Sequence, residues 1–214
     1  MKVGIFGTGD VGRTLANAFL SLGHEVKMGA REAANVKAAQ WAKEAGAKAG
    51  AGTFSDAAKF GEVIVLATLG SGTESAIRMA GPENLNGKLV LDTTNPLDFS
   101  KGMPPSLFVG TTDSLGERIQ RAAPGAHVVK CFNTVGNALM FRPKLKGGPG
   151  DMFICGNHEG ARKRTAALLA DFGWNAVDIG GIEGSRYLEP MCLTWVLHGM
   201  RAGTWNHAFK FITT

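Results

Sequence analysis

Gly7-Thr8-Gly9-Asp10-Val11-Gly12 follows at once on the apolar run Val3-Gly4-Ile5-Phe6, and that order of strand, glycine turn and helix start restricts the fold more than any other segment. A chain rising as a strand into such a turn reads as the pyrophosphate cradle of a dinucleotide site. Gly7 makes the tight turn, Gly9 lets the backbone approach the phosphates, and Gly12 lets the helix pack close to its strand. Beyond the turn, Leu15, Phe19 and Leu22 recur at helical spacing with Ala16 and Ala18 between them, and Gly23 ends the run. The helix N-terminus then faces the phosphate charge. A chain with 30 glycines will place three of them together in ordinary loops, but not in this context of strand and amphipathic helix.

With 214 residues the chain has enough core for one large domain, or for one domain and a small lobe. Its net charge of +5 is spread along the sequence, which suits anionic small molecules and argues against nucleic acid as a partner. No apolar run approaches the length of a membrane span, so no membrane partner and a cytoplasmic location are expected. Cys131, Cys155 and Cys192 are too far apart for a zinc site or a disulfide framework and are expected as free buried thiols. The five histidines show no metal-ligand spacing, and no metal is expected; His198 and His207, in the aromatic tail, could approach a substrate, but an ordinary packed or surface role is the better reading for each.

Strands and helices alternate along the chain. Glu25–Met28, Lys48–Ala51, Val63–Ala67, Leu89–Leu91 and Val128–Phe132 read as strands, with helices over Ala33–Ala45 and about Leu115–Ala122. The runs at Val63 and Val128 are continuously apolar, as parallel strands covered on both faces require. The fold class is therefore α/β, a Rossmann doubly wound parallel sheet over residues 1–134. Residues 135–214 are expected to form a small C-terminal α/β lobe that closes the cofactor site and carries a dimer contact. Its elements are a loop over Phe141–Gly150, strands at Phe153–Cys155 and Ala176–Asp178 flanking a helix Gly160–Phe172, and a last helix through Leu188, Met191, Trp195 and Ala202 with Pro190 near its first turn.

The second strand decides which dinucleotide is held. Binders of NAD place an acid roughly 20 residues past the glycine turn, on the ribose hydroxyl. Here the strand ends Met28-Gly29-Ala30-Arg31, so a guanidinium stands where a 2′-phosphate would lie, and NADP is the expected cofactor. Glu32 competes by count alone, but past the strand tip it points to solvent. Lys37, on the following helix, could add a second positive charge, although a lone lysine on an alanine-rich helix is more often just solvated. Three further segments lie at carboxyl ends of strands, where open α/β sheets bind ligands: Ala67-Thr68, Asp92-Thr93-Thr94-Asn95-Pro96, and Lys130-Cys131-Phe132-Asn133-Thr134.

Taken with G-T-G-D-V-G, G-A-R, V-V-K-C-F-N-T, D-I-G-G-I-E-G-S-R-Y-L-E-P and the closing F-K-F-I, these segments make the whole chain resemble the NADP oxidoreductase family that includes deazaflavin-dependent (8-hydroxy-5-deazaflavin:NADPH) reductases. It is also similar to the nucleotide-binding part of STEAP ferric reductases. The resemblance implies hydride exchange between NADPH and a flavin-like small-molecule acceptor, a deazaflavin or FMN or FAD, in a homodimer. It also implies that Thr8 to Gly12 hold the pyrophosphate and Arg31 the 2′-phosphate. Thr68 and Asn95 would line the ribose and nicotinamide, with Asn133 and Thr134 near the reacting face. For these last four, a turn at Asn95-Pro96 and a cap at Asn133-Thr134 are competing structural roles.

No Ser-His-Asp set, catalytic lysine motif or carboxylate pair stands out, so no catalytic side chain is assigned. Hydride transfer between two stacked rings needs only their positioning, whereas alcohol or hydroxy-acid dehydrogenation needs an acid/base group at the reacting oxygen. A non-catalytic NADP(H) sensor or scaffold remains open, as do ferric and imine reduction; a wide pocket beside the nicotinamide favours the enzyme, and one blocked by Trp195, Trp205 or Phe209 favours the sensor.

Overall fold

The computed structural model describes residues 1–212. Six parallel strands form one sheet: β1 (Lys2–Phe6), β2 (Glu25–Ala30), β3 (Ala49–Thr53), β4 (Val63–Leu66), β5 (Leu89–Asp92) and, after the hairpin β6 (Leu97–Asp98) and β7 (Ser106–Leu107), β8 (His127–Lys130). Their order is β3-β2-β1-β4-β5-β8, which reverses direction between β1 and β4 and opens a crevice there at the carboxyl ends. A second parallel pair, β9 (Asp151–Ile154) and β10 (Asn175–Asp178), joins β8 through an antiparallel bridge between Lys130 and Cys155. The doubly wound α/β fold expected from the sequence is the fold observed.

Alternate side chains along the strands divide the core in two. Val3, Ile5, Val63, Val65, Leu89 and Leu91 face α1 (Asp10–Ser21) and α2 (Val36–Ala45), whereas Phe6, Ile64, Leu66 and Val90 face α3 (Phe54–Phe60), α4 (Gly70–Ala80) and α5 (Leu115–Ala122). Each such residue withdrawn from water contributes about 1.5–3 kcal/mol, and strands covered on both sides have no polar face to show. The first of these cores continues into the C-terminal segment. Phe172, just past α6 (Glu159–Asp171), packs edge-on against Phe19 at 5.0 Å and Phe141 at 5.2 Å, and meets Phe132 at 5.7 Å. The tail is tied to β9 where Asp151 N donates to Phe209 O and Phe211 N donates to Asp151 Oδ2.

Several boundaries differ from the sequence expectation. Asn35 caps α2 by accepting from Ala38 N, so that helix begins at Val36 rather than Ala33. The third strand is Ala49–Thr53 because Thr53 starts α3 with a reciprocal capping box to Asp56. Neither α3 nor α4 was expected. β8 stops at Lys130, not Phe132: Phe132 turns to φ 58°, which keeps its ring in the core while redirecting the chain. The last helix, α7 (Ser185–Ala202), carries Pro190 inside it. Among the described residues no helix is long and apolar enough to cross a membrane.

His127 opens β8, and its ring stacks on His158 at 4.0 Å, whose Nδ1 accepts from Ala161 N and caps α6. Burial, and then the charge of His158, hold the His127 imidazole below its ordinary value of 6.5. A group depressed in the folded state contributes its stability above the unfolded value and loses it as pH falls through the folded one. The melting temperature is therefore expected to fall as pH drops below about 6.5, and His127→Gln should flatten that slope; calorimetry of both proteins on the acid side of neutrality checks it.

Candidate active site

The crevice between β1 and β4 is built on backbone proximity. Gly7 has φ +123°, and a Cβ there would run into the Ala67 carbonyl; a Cβ on Gly12 would run into the carbonyl of Gly7. Gly9 differs: a Cβ there meets nothing within 4 Å. Its open side is the space a pyrophosphate requires. Gly9 is also the N-cap of α1 and offers no side-chain acceptor, so the first-turn N–H groups beginning at Asp10 and Val11 have no capping side chain and are available to an anion. Thr8 and Val11 are half-buried beside them.

Arg31 follows directly on Ala30, the last residue of β2, and is exposed. Its Nη2 reaches towards the start of α4, 3.9 Å from where a Cβ on Gly72 would stand, and Arg31 forms no ion pair among the described residues. A free guanidinium and the N-terminal turn of a helix thus flank one edge of the crevice. Glu32 is exposed and held only by its carbonyl, which accepts from Asn35 N. Lys37 is exposed in the first turn of α2. Past β4, the Thr68 and Thr73 hydroxyls lie 2.9 Å apart, and Thr73 donates to Leu69 O. Thr68 is therefore the donor of that pair, and its own lone pairs stay free to accept.

At the other end the two expected asparagines meet. Asn95 Nδ2 donates to Asn133 O at 2.8 Å, while Asn133 Nδ2 donates to Asn95 Oδ1 at 3.2 Å and to Leu188 O at 2.7 Å. Asn95 is half-buried and Pro96 buried. Asn133 is 2% exposed, with its Oδ1 unpartnered. Thr134 is buried against Met152. The expected residues therefore divide: Asn95 is half-buried just past the carboxyl end of β5, whereas the side chains of Asn133 and Thr134 are buried past the end of β8.

Beneath these loops lies a group that the sequence reading passed over. Lys130 Nζ sits 2.7 Å from Asp92 Oδ2 and 3.1 Å from Glu189 Oε1 and donates to Thr94 O, and all three charged side chains are 0–2% exposed. Burial alone would depress the lysine, but the carboxylates of Asp92 and Glu189 outweigh it and hold its pKa above the ordinary value. Removing one member of such a buried set costs about 3–5 kcal/mol, because the remaining charge is left uncompensated. The signal was present as a lysine inside Val128-Val129-Lys130-Cys131 and an aspartate closing Leu89-Val90-Leu91-Asp92. Charges at positions buried on both faces need partners.

The tail residues fill their own space. His207 stacks on Trp195 at 4.8 Å and meets His198 edge-on, and Trp195 packs with Cys192, Val196, Leu97 and Phe209. Trp205 is 46% exposed. The three cysteines are free and buried, and burial pushes the Cys155 and Cys192 thiols up to about 11. Among the described residues no group of three or more side chains could hold a metal ion.

This chain is 40% identical to a solved structure from Arthrobacter sp. FB24, described as a "putative f420 dependent nadp-reductase", over the whole of both chains with a TM-score of 0.92. The family model for coenzyme F420-dependent NADP oxidoreductases matches residues 2–96. The chain belongs to that family. Family membership makes it an NADP-dependent oxidoreductase and accords with the free Arg31 and the open side of Gly9. A curated family relative, the F420-dependent NADP reductase of Methanothermobacter marburgensis, is 29% identical over 205 residues, 89% of each chain. The metalloreductase STEAP3 of Rattus norvegicus is 27% identical over 193 residues, which are 90% of this chain and 36% of that protein.

The glycines give a paired test. Gly9→Ala should leave the melting temperature within about 2 °C, since a Cβ there meets no protein atom within 4 Å, yet weaken NADPH binding at least tenfold. Gly12→Ala should lower the melting temperature instead, by roughly 4 °C or more. Thermal melts and NADPH titrations of both variants read the contrast.

Proposed function

We propose that this chain transfers a hydride between NADP(H) and a flavin-like ring, with a deazaflavin of the 8-hydroxy-5-deazaflavin kind as the acceptor. The observation that carries this reading is the chemistry bordering the inner end of the crevice. Asn95 and Pro96 lie there, together with the Asn133 loop, and the nearby charged groups Asp92, Lys130 and Glu189 are fully buried and paired with one another. An alcohol or imine substrate would require a proton donor at the reacting atom. Two stacked rings require only that they be held about 3–3.5 Å apart, and the proton that accompanies the hydride comes from solvent. The nicotinamide supplies the hydride when bound. The chain's part is to bind and orient: the α1 N-terminus and Gly9 take the pyrophosphate, Arg31 and Lys37 the 2′-phosphate, Thr68 and Asn95 the nicotinamide half. The names of the Arthrobacter and Methanothermobacter relatives support the choice of a deazaflavin.

The decisive experiment is anaerobic NADPH oxidation with the 8-hydroxy-5-deazaflavin coenzyme, FMN, FAD, a ferric chelate and a cyclic imine offered in parallel. The deazaflavin is expected to turn over fastest. Tight NADPH binding without turnover of any acceptor would make the chain a nucleotide sensor instead. Arg31→Glu is expected to weaken NADPH by about two orders of magnitude, through loss of a charge-assisted pair and gain of repulsion, while changing NADH by less than about threefold. Equal effects on both cofactors would remove Arg31 from the 2′-phosphate site.

The same reading includes a homodimer. On α7 the outward residues Tyr187, Leu197 and Met200 are exposed, and no exposed charge interrupts the helix between Arg186 and Arg201, which is the character of a helix face awaiting a partner. Leu197→Glu is expected to convert a dimer to a monomer in light scattering; an unmodified protein that is already monomeric would refute the assignment.

A further inference from the structure

Two consecutive residues of α7 hold both loops at the inner end of the crevice. Leu188 O accepts from Asn133 Nδ2, which fixes the loop after β8. Glu189 faces Lys130 through Oε1, and Lys130 in turn donates to Thr94 O, which fixes the loop after β5. Asp92 Oδ1 completes the hold on Thr94, accepting from both its N and its Oγ1 at 2.9 Å and 2.6 Å. The same Oε1 also accepts from Gly116 N, and Oε2 accepts from Leu115 N, at the start of α5. Thr94 is therefore gripped at every polar atom, and the next residue is Asn95. A buried set of charges is a poor route to stability, because an apolar cluster of equal volume serves as well or better. What it adds is a stiff, directional spacing, since desolvated charges and their hydrogen bonds tolerate little displacement. Here that spacing lies under the two loops of the nicotinamide half and touches neither Gly9 nor Arg31.

We propose that Glu189 is a positioning residue for the nicotinamide half of the cofactor: acting through Lys130 and Asp92, it sets the pose of the Thr94–Asn95 loop against the Asn133 loop and leaves the adenosine half untouched. This inference rests on the NADP(H) reading above.

The test compares two ligands on the unmodified protein and on Glu189→Gln, which keeps the shape and removes the charge. One ligand is NADPH; the other is 2′-phospho-ADP-ribose, which has the 2′-phosphate and pyrophosphate but no nicotinamide. Glu189→Gln is expected to weaken NADPH at least about fivefold, while 2′-phospho-ADP-ribose stays within about twofold. General loosening of the fold would weaken both alike. If Glu189→Gln does not fold, Glu189→Asp, which keeps the charge and shortens the reach, is expected to show the same selective loss. Parallel loss for both ligands, or no loss for either, in a folded variant overturns the positioning role alone. Failure of the unmodified protein to bind either ligand overturns the NADP(H) reading and this inference with it.

Discussion

Gly7 and the Ala67 carbonyl stand so close that no side chain fits between them, and the nucleotide-binding half is arranged around that contact. It joins the turn after β1 to the end of β4, the two strands from which the sheet winds in opposite directions. Gly12 repeats the device within the first turn of α1, pressing the helix onto Gly7. Because strand end, turn and helix start are locked together by backbone, the N-terminus of α1 is held in a fixed direction and the open flank of Gly9 faces the crevice.

This half was legible in the sequence because its determinants are local. An apolar strand, a glycine spacing and an amphipathic helix all lie within some twenty consecutive residues, and together they write the strand, turn and helix that are observed. The same holds for the strands of the sheet, whose burial on both faces writes an unbroken apolar run. Where local signals compete, the reading weakened. Thr53 and Asp56 cap a helix of only seven residues, too short to show periodicity. α4 begins Gly-Ser-Gly, which looks like a loop until Thr73, Ala76, Ile77 and Ala80 are seen to share one buried side.

The inner end of the crevice was legible only as a list of residues. Asn95 and Asn133 were singled out past the ends of two different strands, and they hydrogen-bond to one another, but nothing local tells which way an amide points. The inward turn of Asn133 depends on Leu188, 55 positions away, and on Phe132 adopting a left-handed backbone that its residue type does not advertise. The ion cluster has the same origin: Asp92, Lys130 and Glu189 come from three separate elements, and a charge in an apolar run shows that it needs a partner without showing which one. Contacts between distant segments decide the geometry at that end, whereas contacts between neighbours decide it at the glycine turn.

Phe172 carries a consequence for how such a chain can be divided. Its ring touches Phe19 from α1 and also Phe132 and Phe141, so one aromatic hub belongs at once to the nucleotide-binding sheet and to the C-terminal segment. A cut at residue 134 would strip the inner face of α1 of the ring that covers it. The C-terminal segment is thus not an exchangeable cassette. Transplanting its chemistry onto another dinucleotide-binding sheet would require α6 and its closing phenylalanine to travel with it, and a host helix shaped to receive that ring.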